Sequence, residues 1–171
     1  MTDPEPPGIR FRWDKSDATA RAAAAFAGRV IGSDARYISH GEIQTGLSPD
    51  GRHWADGLAG LYAEDFATLG EARDLLVAET DAGDLVGMVI LAWEASSRRQ
   101  FAVLEDMAVE PSLRSLRIGE RLLGEVEARV RARGVDWLFL ESGVENEGAH
   151  RFFERHGFGK ISHVFAKRLN D

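Results

Sequence analysis

Apolar and polar positions along the chain change period several times, and each change marks an element. Ile9-Arg10-Phe11-Arg12-Trp13 alternates with the two-residue period of a strand. Asp14-Lys15-Ser16-Asp17 offers capping side chains, and the Ala-rich run from Ala18 to Ile31 reads as a helix. No period survives between residues 32 and 57. Gly32, Gly41, Gly46, Gly51 and Gly57 interrupt it, and Ser48-Pro49-Asp50-Gly51 is a turn. Leu58, Leu61, Tyr62, Phe66 and Leu69 restore a weak helical spacing between Trp54 and Leu69.

The second half of the chain is more regular. Asp74–Thr80, Leu85–Glu94 and Phe101–Val109 predict a three-strand meander, turning at Asp81-Ala82-Gly83-Asp84 and at Ser96–Gln100. Ile118, Leu122, Val126 and Val130 recur every four residues, with Glu125/Arg129 and Glu127/Arg131 on the outer face, so a helix follows. Gly134 stands where a helix C-cap glycine belongs. Val135–Glu141, apolar from Trp137 to Leu140, predicts a buried strand. Asn146 caps a helix with the face Ala149, Phe152 and Phe153 that stops at Gly157, and Phe158–Leu169 predicts a last strand. The alternation of strands and helices implies an α/β fold with a mixed sheet.

Length and charge narrow the function classes. A chain of 171 residues fits one globular domain, expected over residues 9–171 behind a disordered, acidic, Pro-rich tail at residues 1–8. The absence of Cys removes disulfides, thiol chemistry and Cys-based zinc sites. A net charge of −7 argues against nucleic acid as a partner. The start of the chain is unlike a signal peptide, and the longest apolar run, Leu85 to Trp93, is far shorter than the roughly 20 residues that span a bilayer. The expected location is cytoplasmic, with no membrane partner.

The stretch from Leu104 to Leu123 carries the chemistry. A strand enters a short loop and then a helix start, where unpaired backbone N–H groups and a partial positive charge suit an anion such as phosphate. Arg114, Arg117 and Arg121 add positive charge in an otherwise acidic protein. Arg114 to Gly119 lies on the pattern Q/R-x-x-G-x-G/A, and it resembles the pyrophosphate loop of GNAT-type N-acetyltransferases. Asn146 to Phe158 resembles that family's second signature, N-x-x-A-x-x-F/L-Y-x-x-x-G-F. Both stand in order and on matching elements, and the resemblance covers residues 74–169. Two positions depart from it: the central glycine is Arg117, and the tyrosine that protonates the departing thiolate in many members is Phe153.

The resemblance implies a central sheet of six to seven strands with a splayed central pair, and acetyl-CoA as co-substrate without a metal. It puts that co-substrate against Met107, Ala108 and Val109 of the central strand and against Arg114, Ser115, Leu116, Arg117, Ile118, Gly119 and Glu120 of the loop. Asn146 and Phe153 join from the second signature. The backbone N–H near Met107 would serve the carbonyl oxygen that gains charge. The implied reaction acetylates a primary amine of a small-molecule acceptor. An amine with a pKa near 10 is only about one part in a thousand neutral at pH 7, so a base is required. Glu141, Glu105 and Asp106 are the candidates, the last two facing opposite sides by strand alternation.

Tyr37, His40, Glu42 and Trp54 lie in the stretch without period, where this family's acceptor usually sits, and are the candidate substrate contacts. The acidic balance favours a cationic acceptor such as a polyamine or aminosugar antibiotic. Acetylation of protein N-termini or lysines is the alternative within the class. A non-catalytic acyl-CoA sensor is the alternative outside it, motivated by Arg117 and Phe153. A homodimer is expected from the general frequency of two-fold assemblies.

Overall fold

A computed structural model describes residues 8–170. The tail expected at residues 1–8 falls, apart from Gly8, outside them. The chain divides into two compact units. One takes the described residues up to Ser33 together with Ala59–Leu140; the other takes Asp34–Leu58 and the described residues from Glu141 onward.

The first unit is built on one five-stranded sheet: β1 (Ile9–Trp13), β2 (Arg73–Thr80), β3 (Leu85–Ala95), β4 (Gln100–Val109) and β5 (Leu138–Leu140), in spatial order of sequence. The first three pairings are antiparallel and β4–β5 is parallel, so the sheet is mixed. β2 and β3 are buried almost throughout, as central strands covered on both faces are. Alternation along β1 identifies the covers. Arg12 reaches Thr19 of α1 (Asp17–Val30). Phe11 and Trp13 point the other way, under the guanidinium groups of Arg121 and Arg129 from α4 (Ile118–Ala132) at 4.2 Å from each ring centre. The two helices therefore lie on opposite faces. α4 buries Ile118, Leu122, Leu123, Val126 and Val130, the four-residue stripe legible in the sequence together with its neighbour Leu123. Ser16 caps α1 by accepting from the Thr19 N–H.

Two buried carboxylates in this unit are paired. Asp74 accepts from the Trp93 indole N–H and from Arg129 Nε, both at 3.0 Å, and lies 3.3 Å from Lys15 Nζ. Glu79, 4% exposed, takes Arg12 Nε and Nη2 at 3.1 Å and also binds Arg10. α3 (Leu58–Phe66) replaces the longer helix expected over 54–69.

Two expectations are corrected. The sheet has five strands rather than six or seven, because residues 158–169 form no strand. Ile161, Val164, Phe165 and Leu169 are exposed, Phe165 by 94%. The sequence carries strand propensity, but a strand exists only through hydrogen bonds to a neighbour, and none of the described residues pairs with this segment. The strand expected over 135–141 shortens to Leu138–Leu140 and is half-buried, since it is the sheet edge and has one neighbour. Trp137 is 49% exposed and stacks on Phe139.

The second unit gives structure to the stretch that lacked a period. It contains a 3₁₀ turn at Ala35–Tyr37, a short α2 (His40–Gln44) and α5 (Glu147–Arg155). Asn146 caps α5 as expected, its Oδ1 accepting from the Ala149 N–H at 3.3 Å.

Candidate functional site

In the first unit the relevant feature is where β4 loses its neighbour. The β4–β5 ladder covers only Ala102↔Leu138, Val103↔Phe139 and Leu104↔Leu140. From Glu105 to Val109 the β5 side of β4 has no strand partner among the described residues. Glu105 is also where β4 slips against β3, since Leu91 pairs with Leu104 and Ile90 with Asp106. The bulge leaves Glu105 without an opposite residue and breaks the simple alternation expected for Glu105 and Asp106. Met107, Ala108 and Val109 resume pairing with β3.

β4 then runs into a 3₁₀ turn at Pro111–Leu116, and Arg117 follows with φ 57° and ψ 27°. Among the described residues Arg117 is the one non-glycine with positive φ. That accounts for the glycine of the motif: the loop turns into α4 through a left-handed residue, a conformation that glycine adopts freely and other residues adopt at a cost of about 1–2 kcal/mol. Arg117 keeps the loop's shape despite its Cβ. Its side chain is 81% exposed and 3.7 Å from Glu120. No side chain caps α4, so the N–H groups at Ile118, Gly119 and Glu120 are left without a side-chain acceptor. Arg114 and Ser115 are exposed and Leu116 half-buried on the same turn. Arg121, grouped by sequence with the loop cations, lies over Phe11 instead. The loop thus sets the backbone N–H groups of Ile118, Gly119 and Glu120 beside the exposed Arg114 and Arg117.

In the second unit the main feature joins residues a hundred positions apart. His40 Nε2 lies 2.6 Å from Glu141 Oε2. Two glycines allow it. A Cβ on Gly41 would sit 2.3 Å from Glu141 Oε1, and a Cβ on Gly143 would sit 2.1 Å from the Arg36 carbonyl oxygen and 2.6 Å from that of Ile38. The 141–143 segment therefore lies directly on the backbone of residues 36–41. His150 Nε2 bonds the Gly143 carbonyl at 2.9 Å from the other side. Burial pushes the Glu141 carboxyl above its ordinary range; His40 opposes that shift and the nearby Glu42 charge adds to it.

The remaining candidates have visible employment. Glu42 accepts from the Ser39 N–H at 2.6 Å and from Ser39 Oγ at 2.7 Å, closing a capping box on α2. Glu105 lies 3.5 Å from Arg73 Nη1, which also binds Asp65 at 2.9 Å, and burial raises the Glu105 carboxyl against the pull of Arg73. Tyr37 ends the 3₁₀ turn and is half-buried. The Trp54 indole N–H is buried without a hydrogen-bond partner among the described residues. Phe153 packs edge-on against Phe152 and Phe158. His53 is held by Asp50 in a local turn at 2.7 Å. Among the described residues no cluster of three or more His, Cys, Asp or Glu could hold a metal ion, and no helix is long and apolar enough to cross a membrane.

His40 and Glu141 stand in the sequence as separate candidates. Gly41 shows there only as a break in periodicity, and Gly143 carries no signal that links it to either.

Comparison with known proteins bears on these features. The aminoalkylphosphonate N-acetyltransferase of Salmonella typhimurium is 28% identical over 89 residues, 51% of this chain and 58% of that protein, so the match spans little more than half of that relative. The aminoglycoside antibiotic 6'-N-acetyltransferase AAC(6')-Ih from Acinetobacter baumannii superposes with a TM-score of 0.68 at 17% identity, over 96% of this chain and 99% of that one. The aminoglycoside N-acetyltransferase AAC(6')-Iy, solved with CoA, gives 0.68 at 14% identity over 99% and 100%. These two structures share the fold. The pattern of the acetyltransferase (GNAT) family matches residues 42–158, well over half of the sequence, from the first turn of α2 through β4, its left-handed turn and α4 to the end of α5, and the chain belongs to that family.

Proposed function

We propose that this protein is an acetyl-CoA-dependent N-acetyltransferase that acetylates the primary amine of a small acceptor, with Glu141 as the base. The observation that carries this reading is the run from the unpartnered edge of β4, through the left-handed Arg117, into the uncapped start of α4. Acetyl-CoA supplies the acetyl group. Ile118, Gly119 and Glu120 would hold its diphosphate through backbone N–H groups, with Arg114 and Arg117 adding charge-assisted contacts. The Met107 backbone N–H is the proposed donor to the carbonyl oxygen as negative charge gathers there.

The amine arrives mostly as ammonium, and Glu141 takes its proton so that the nitrogen lone pair is free to attack. A raised carboxyl suits that role, because a stronger proton acceptor is closer in affinity to the amine. Phe153 has no hydroxyl, so the departing thiolate takes its proton from water or from the protonated Glu141. The net charge of −7 and the neighbouring carboxylates of Glu42 and Glu141 favour an acceptor that is cationic around its amine. The name of the aminoalkylphosphonate N-acetyltransferase relative supports this reading, and the names of the aminoglycoside N-acetyltransferases of like fold suggest further amines to test.

The test is CoA release across a panel of aminoalkylphosphonates, aminoglycosides and polyamines, with wild type and Glu141→Gln. Turnover on at least one amine, lowered 100-fold or more by Glu141→Gln with acetyl-CoA affinity unchanged, is the expected result. CoA binding without turnover on any amine would favour a sensor instead.

A further inference from the structure

We infer that His40 is a positioning residue for Glu141, presenting one carboxylate oxygen, Oε1, as the proton acceptor. The inference rests on the reading of Glu141 as the base and adds how that base is held. His40 Nε2 lies 2.6 Å from Oε2, an ion-pair contact that ties that oxygen to the imidazole. Oε1 accepts no hydrogen bond from any described residue and rests against the bare backbone of Gly41. The carboxylate is held on one side by the imidazole, and the missing side chain at Gly41 leaves room for its other oxygen. It still reaches solvent, with 38% of the side chain exposed.

The surroundings leave His40 as the residue with this task. Glu42 spends its carboxylate on Ser39 and acts on Glu141 only through its charge. His150 is engaged with the Gly143 carbonyl, and Arg36 with Asp34 at 2.7 Å. In the transfer, the ammonium N–H bond breaks, the proton joins Oε1, and the electron pair stays on nitrogen. Glu141 becomes a neutral carboxylic acid. His40 takes no proton from the amine in this step; it orients the base.

Three variants test this. His40→Ala removes the contact with Oε2. His40→Gln offers an amide N–H of similar reach in its place. Gly41→Ala leaves both titrating groups intact and drives a methyl group into the space of Oε1. His40→Ala is expected to lower kcat at least 10-fold with KM for acetyl-CoA within twofold. Its acidic limb in the pH–rate profile should move to higher pH, since the carboxylate loses the neighbour that draws it down. His40→Gln should recover most of kcat and return the limb towards wild type. Gly41→Ala should lower kcat while the fold melts no earlier, because alanine is the better helix former.

A carboxyl-labelled NMR titration of Glu141 reads the pairing without turnover and should follow the same order. If His40→Ala keeps wild-type kcat and limb while Glu141→Gln is inactive, His40 does not position the base and the inference is overturned. If Glu141→Gln is itself fully active, the assignment of the base fails instead. A Glu141 titration unmoved by His40→Ala would also overturn the inference, whatever the activity.

Discussion

The carboxylate of Glu105 lies 3.5 Å from Nη1 of Arg73, at the one position in β4 that has no partner on β3. Arg73 is shared with Asp65, so Glu105 completes a chain of three charges on the first unit. A carboxylate so engaged is a poor candidate to take a proton from an amine. Glu105→Gln should leave kcat within about threefold of wild type, against the 100-fold or larger loss that removal of a general base brings. Steady-state kinetics on the best acceptor decides it.

The same residue has a pH signature. Burial holds its folded carboxyl above the unfolded value. Its contribution to stability is therefore complete below the unfolded pKa, about 4.3, and falls away as pH rises through the folded value. The melting temperature of Glu105→Gln relative to wild type should rise between acid and neutral pH. A difference that moves the other way would mean that attraction to Arg73 outweighs burial.

Glu79 has the opposite sign. Hydrogen bonds from Arg12 and Arg10 hold its carboxyl below the ordinary range. That stability is present above about pH 4.3 and is lost as pH falls through the folded pKa. Glu79→Gln should cost about 1–2 kcal/mol at neutral pH, because the charge-assisted hydrogen bonds from Arg12 and the more exposed Arg10 are weakened, and should flatten the acid limb of the stability curve. Urea unfolding at pH 7 and at pH 3 measures both effects.

Arg117 separates backbone from charge. Arg117→Gly relieves the left-handed strain, and Arg117→Ala keeps it, while both delete the guanidinium. The glycine variant should be about 1 kcal/mol more stable than the alanine variant. Both should bind acetyl-CoA a few-fold more weakly than wild type, since an exposed charge–phosphate contact contributes about 1 kcal/mol or less. Thermal melts with and without acetyl-CoA read both quantities.

Gly143→Ala tests the seat of Glu141. The added methyl would stand 2.1 Å from the Arg36 carbonyl oxygen, a backbone atom with little freedom to yield. A loss of about 1–3 kcal/mol and a larger fall in kcat than in acetyl-CoA affinity are expected. Limited proteolysis should cut earlier around residues 34–58.

Much of the first unit was legible because its signals are periodic. The stripe Ile118, Leu122, Val126 and Val130 and the alternation Ile9 to Trp13 each report which side of an element is buried, and burial is what the hydrophobic effect selects. The strand–turn–helix joint from β4 into α4 was legible from residue types at fixed offsets. The bulge at Glu105 was not, because one extra residue in a ladder leaves no mark on composition and shifts every later side chain by one face. α2 was missed because five residues give barely more than one turn, and its Gly41 reads as a breaker. The meeting of His40 with Glu141 is a tertiary contact that no local pattern encodes. Residues 158–169 erred in the other direction: alternation states a preference for strand, and pairing requires a partner that the sequence does not name.

The three-residue ladder between β4 and β5 has a consequence for the energetics of ligand entry. A sheet paired along its full length would have to surrender inter-strand hydrogen bonds before anything slid between its strands, and that cost would be subtracted from affinity. Here β5 stops at Leu140 while β4 runs on to Val109, so beyond Leu104 there are no β4–β5 hydrogen bonds to break before a ligand lies along that edge. An elongated ligand laid along β4 would then meet the ordinary costs of association, with no cost of strand separation added to them.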